Sequence, residues 1–135
     1  MALCIPVSKL MSEQNKIIVE TLPQYIEVQS SPDDNRYIFA YTITITNAGS
    51  VSATLLSRHW LITDSNGKVQ EVQGDGVVGE QPYLKPGEVF RYTSGAILET
   101  SVGVMQGKYT MISDEGISFD ARIPKFTLSI PRILH

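Results

Sequence analysis

An antiparallel β-sandwich of about seven or eight strands is the fold class this sequence predicts. Three observations predict it. Apolar residues alternate at period two along most of the chain. Turn signals recur at roughly the 8–12-residue interval of sandwiches and barrels. No window carries the apolar spacing of a long amphipathic helix.

Taken in order, Ile17 to Gln29 is the first expected strand, interrupted by Pro23, which points to a sheet edge or a bulge. From Tyr37 to Thr46 the alternation is nearly strict: Tyr37, Phe39, Tyr41, Ile43 and Ile45 face one way, and Ile38, Ala40, Thr42, Thr44 and Thr46 the other. Asn47-Ala48-Gly49-Ser50 supplies the turn that ends it. Val51 to Asp64 follows, with Leu56, Trp60 and Ile62 expected on one face and Leu55, Ser57, His59, Leu61 and Thr63 on the other. Asp64-Ser65-Asn66-Gly67 is a hairpin signal, because Asn and Gly tolerate the positive φ angles of tight turns. Lys68 to Gln73 returns as a short strand. Beyond a glycine-rich stretch, Glu88 to Ile97 sets Phe90, Tyr92 and Ser94 against Val89, Arg91 and Thr93. Gly107 to Ser113 and Ile117 to Ile123 form a hairpin around Asp114-Glu115-Gly116, and Phe126 to Ile130, set off by Pro124, is the last strand. Trp60 falls where an immunoglobulin or fibronectin type III core places its large aromatic.

A chain of 135 residues with 42% hydrophobic content supports one core without metals or disulfides. Residues 1–15 are polar or unpatterned enough to be expected as a mobile leader, with one domain over 16–135. The apolar Ala2-Leu3-Cys4-Ile5 lacks a basic run before it and a cleavage site after it, so no signal peptide is expected. With a single cysteine, Cys4, no disulfide forms within the chain, and the expected location is the cytoplasm. A net charge of −3 argues against a nucleic-acid or anionic-membrane binder.

Gly74-Asp75-Gly76-Val77-Val78-Gly79 matches the dinucleotide-binding pattern letter for letter. That pattern works only where a helix follows, so that free amides at its N-terminus hold a pyrophosphate. Here Glu80-Gln81-Pro82-Tyr83-Leu84-Lys85-Pro86-Gly87 follows, and its two prolines forbid a regular helix. A shaped loop between strands is expected instead, with consecutive amides able in principle to form an anion nest. Gly74, Asp75, Gly76, Val77, Val78, Gly79, Glu80 and Gln81 are therefore the candidate binding loop.

No catalytic, cofactor or metal-ligating residue is singled out. His59 alternates with Trp60 and reads as a structural histidine, and His135 ends the chain. Cys4 has no activating neighbour. Asp33-Asp34, Asp64 and Asp114-Glu115 sit in turn-like segments, where solvated turn residues account for them and a hard-cation site across loops stays open.

The chain resembles the bacterial ApaG family, also called CorD, from about Ile17 to His135. The resemblance is carried by Gln29-Ser30, Tyr37-Ile38-Phe39-Ala40-Tyr41, Arg58-His59-Trp60-Leu61-Ile62-Thr63-Asp64, Gly74 through Pro82, Pro86-Gly87, Tyr92-Thr93-Ser94-Gly95, Met105-Gln106-Gly107 and Ile123-Pro124. It implies a fibronectin type III-like sandwich. It also implies a protein-interaction module, because similar domains occur in eukaryotic F-box proteins and in a polymerase-delta-interacting protein. Genetic neighbourhood links the family to a diadenosine tetraphosphate hydrolase and to cobalt and magnesium efflux, and neither link assigns a reaction to these residues.

Two functions are therefore expected alternatives. One is a non-catalytic module that binds a protein partner through loops at one end of the sandwich. The other is a regulator tied to divalent-cation efflux or dinucleoside polyphosphate metabolism, with the glycine loop as a weak phosphate or nucleotide nest. No cofactor, nucleic acid or membrane enters either one.

Overall fold

Two antiparallel sheets pack face to face in the computed structural model, which describes residues 13–131. Cys4, most of the expected leader and His135 lie outside the described residues. The strands are β1 (Ile17–Tyr25), β2 (Tyr37–Asn47), β3 (Ala53–Asp64), β4 (Val69–Asp75), β5 (Tyr83–Leu84), β6 (Val89–Leu98), β7 (Val102–Ser113) and β8 (Ser118–Ser129). One sheet has the order β1-β2-β6; the other runs β4-β3-β7-β8, with β5 pairing the start of β3. Among the described residues, no helix is long and apolar enough to cross a membrane.

The alternation in β2 determines which face is buried. Phe39, Tyr41, Ile43 and Ile45 enter the core, and the threonines between them face outward. From the other sheet Leu55, Trp60, Ile62, Met105, Tyr109, Met111, Ala121, Ile123 and Leu128 meet them. Trp60, 2% exposed, stacks edge-on to Tyr109 and Phe126 and tilts against Tyr41, as its alternation predicts.

Besides β5, a short strand the sequence did not lead one to expect, four elements differ from the sequence expectation, each for a local reason. β1 stops at Tyr25 because Glu27–Gln29 winds into a 3₁₀ turn. There the Ser30 hydroxyl donates to the Ile26 carbonyl and accepts from the Ile38 amide, standing in for the next rung of the ladder. In β3 a bulge falls between Leu55 and Ser57, so the phase flips: Leu55 is fully buried and Leu56, expected inside, is not. Such a bulge sets two residues against one and turns every later side chain over. β7 begins at Val102 rather than Gly107, extending the hairpin toward the β6 connection. Finally, Pro124 does not divide two strands. It lies at a second register shift, where Met105 pairs Phe126 and Gly107 pairs Ile123, and β8 passes through it unbroken.

Asn47, 1% exposed, ties together the end of the sandwich where β2 finishes. Its Nδ2 donates to the carbonyls of Val51 and Leu84, and its Oδ1 accepts from the Gly49 amide. Close by, Gly49 has no room for a Cβ, which would sit 2.0 Å from the Gln14 carbonyl oxygen.

Candidate functional site

The bulge in β3 builds the glycine loop. Because Leu56 is extruded from the β3–β7 ladder, its carbonyl is available to accept from the Gly76 amide at 2.7 Å and from Gln81 Nε2 at 2.9 Å. The Leu55 amide donates to the Pro82 carbonyl at 3.0 Å and leads the chain into β5. Both ends of the loop are thereby fixed to one point of β3.

Between them the chain makes a two-residue hairpin turn. Val77 and Glu80 exchange both backbone bonds, at 2.8 and 2.9 Å. Val78 (φ +44°) and Gly79 (φ +81°) both stand at positive φ, the signature of a type I′ turn. Gly76 also has positive φ, +63°, and a Cβ there would lie 2.2 Å from the Glu80 carbonyl oxygen, so only glycine fits. Val77 is completely buried and joins the core; Val78 beside it is 56% exposed.

Arg58 holds the loop from below. Its Nη1 donates to the carbonyls of Asp75 and Gly76 at 3.0 and 2.9 Å. Its cross-strand partner in β7 is Tyr109, whose hydroxyl forms a buried hydrogen bond with that of Tyr92 across the two sheets. Burial pushes the Tyr92 phenol up to about 12 and the Tyr109 phenol higher still, since neither phenolate is solvated there.

The candidate loop residues are therefore together, on a rigid support, although on the flank of the sandwich beside β3 rather than at the strand tips. The amides of Gly76, Val77 and Glu80 are spent on internal bonds. That leaves little of a consecutive run for an anion, since a nest needs neighbouring free N–H groups. Sequence reasoning missed Arg58 and the bulge; the adjacent apolar pair Leu55-Leu56, where strict alternation breaks, was the available signal.

The other polar candidates hold structural positions. His59 faces outward and pairs through Nε2 with Glu71 Oε1 at 3.1 Å, where Gln73 also donates. Asp64 Oδ1 accepts from the amides of Asn66 and Lys68, closing the β3–β4 hairpin. Asp34 accepts from the Ser31 hydroxyl, and Asp114 from the Tyr83 hydroxyl at 2.6 Å.

Residues 27–113, which include the loop and its Arg58 anchor, match the model of the family described as the ApaG domain. Protein ApaG of Azoarcus sp. (strain BH72) is 60% identical over 124 residues, covering 92% of this chain and 98% of that protein. Protein ApaG of Dechloromonas aromatica (strain RCB) is 58% identical over 127 residues, covering 93% and 100%. Among solved structures, a Bordetella pertussis protein described as ApaA superposes with a TM-score of 0.88 at 48% identity, over 90% of this chain and 98% of that one.

Proposed function

The chain belongs to the ApaG domain family, and on that premise we propose that it is a non-catalytic, cytoplasmic protein-binding module whose contact surface centres on the loop from Gly74 to Gln81. The observation that carries this is Val78. A β-branched residue at positive φ is strained, typically by about 1–3 kcal/mol, and Asn or Gly would make the same turn without that cost. Yet valine stands there with its side chain 56% exposed. The fold gains little from an apolar residue so exposed.

A partner would gain more. Binding surfaces concentrate their energy in apolar and aromatic anchors held on rigid supports. Here Val78 is displayed on a turn braced by Val77 and Arg58. The exposed Glu80 closes the same turn, and Tyr83, 48% exposed with its hydroxyl fixed to Asp114, follows in β5. A non-catalytic role is supported by the structural bonds in which His59, Asp64 and Asp114 are engaged. The committed amides of the loop favour a protein over a phosphate.

The test is Val78→Asn, which keeps the turn and removes the apolar tip. The variant should be slightly more stable than the parent and should no longer retain the proteins that immobilised parent chain captures from a cell lysate. Full retention by the variant would move the surface elsewhere. Gln81→Ala is a poor companion, because Gln81 Nε2 anchors the loop to Leu56. Calorimetric titration with ATP, a dinucleoside polyphosphate, cobalt or magnesium should give no saturable heat in the micromolar range; a one-to-one isotherm would favour a regulator instead.

A further inference from the structure

We propose that the outer face of the β1-β2-β6 sheet is a self-association surface, on which a second copy of this chain docks face to face about a two-fold axis running along β2. The face lies apart from the glycine loop. Its outward positions are Ile18, Glu20, Leu22 and Gln24 on β1; Ile38, Ala40, Thr42, Thr44 and Thr46 on β2; and Val89, Arg91, Thr93, Gly95 and Ile97 on β6. Ile18, Leu22, Val89 and Ile97 are 42%, 68%, 56% and 49% exposed, a concentration of apolar surface on one sheet face that marks an interaction site.

The hydroxyls at the centre of the face are already bonded within the sheet. The Thr42 and Thr93 hydroxyls bond to each other at 2.8 Å, and Arg91 Nε donates to Thr44 Oγ1 at 3.1 Å. The methyl groups of these threonines are what remains to be covered at the centre, so drying it leaves few hydroxyl bonds unmade there.

The charges choose the partner and its orientation. Glu20 and Arg91 are the charged side chains at outward positions of these three strands, and they flank Thr44 on one row of the ladder. Among the described residues neither joins an ion pair. A two-fold along β2 carries β1 over the β6 of the second copy, which places Glu20 above Arg91 twice and Ile18 above Val89 twice. A two-fold across the strands would instead lay each strand over its own copy and set like charges on like strands. Sheets packed at about 10 Å leave long side chains such as these within reach. The face is only three strands wide, smaller than a standard interface of roughly 800 Å² per partner, so the dimer is a weak one.

Sedimentation equilibrium of the full chain, from about 10 to 500 μM, spans the range expected for such an interface. The parent should show a monomer–dimer equilibrium. Glu20→Arg and Arg91→Glu should each weaken it by about tenfold or more, and the double variant, with the charges exchanged, should regain it. On dilution, amide shifts in the nuclear magnetic resonance spectrum should change along β1, β2 and β6 only. A chain that stays monomeric throughout overturns the proposal and leaves the face to another protein. A dimer indifferent to both single variants, or shifts confined to the glycine loop, overturns it as well. Circular dichroism matching the parent confirms that each variant folds, and either result leaves the Val78 test standing independently.

Discussion

Arg58 and Gly74 stand directly opposite each other across β3 and β4, and a Cβ at Gly74 would come within 2.9 Å of the guanidinium. The glycine makes the space through which the arginine reaches the carbonyls of Asp75 and Gly76. Arg58→Met keeps the aliphatic stem and removes both donors. It should cost about 1.5–3 kcal/mol, the range for hydrogen bonds to a charged group, and should speed hydrogen exchange at the Val77 and Glu80 amides. Unchanged exchange there would show that Leu56 alone anchors the loop.

The tyrosine pair predicts alkaline instability. Burial raises Tyr92 to about 12, from an ordinary value near 10, and raises Tyr109 further. The neutral phenols are thus favoured by folding. Their contribution is complete below pH 10 or so and is lost as pH rises through about 12. Denaturant unfolding between those values should show falling stability, and Tyr92→Phe with Tyr109→Phe should flatten the fall. An equally steep loss in the double variant would assign it to other groups.

The bulge in β3 predicts an inequality between neighbours. Leu55→Ala empties a fully buried site and should cost about 2–5 kcal/mol. Leu56→Ala, at the extruded and only half-buried position, should cost clearly less. Trp60→Ala should cost about 3–5 kcal/mol, with parent fluorescence shielded from aqueous quenchers. Equal costs for the two leucines would contradict the bulge.

Asn47→Ala removes three hydrogen bonds from a buried site, among them the one to the Leu84 carbonyl inside the fold. A loss of about 2–4 kcal/mol is expected, measured by thermal unfolding. Asn47→Asp should also destabilise, because it replaces the Nδ2 donor with an acceptor facing two carbonyls.

Much of this protein was legible residue by residue. Alternation from Tyr37 to Thr46 determines the face of β2 that is buried, because side-chain direction in a strand has period two and depends on nothing distant. The hairpin at Asp64–Lys68 and the burial of Trp60 were legible for the same local reason. So was the family, through blocks of residues in order.

Register and partnership were not. Whether Leu55 or Leu56 enters the core depends on a bulge against β7, which falls where β3 passes from its pairing with β5 to its pairing with β4. Whether Pro124 ends a strand or rides over a shift depends on Gln106 in the facing strand. Arg58, Leu56 and Gly76 meet only after some twenty intervening residues have turned back on β3, and the tyrosine hydroxyls meet only when the two sheets close. Each of these is a choice among conformations that are locally equivalent, and it is made by the contacts that the closed sandwich allows.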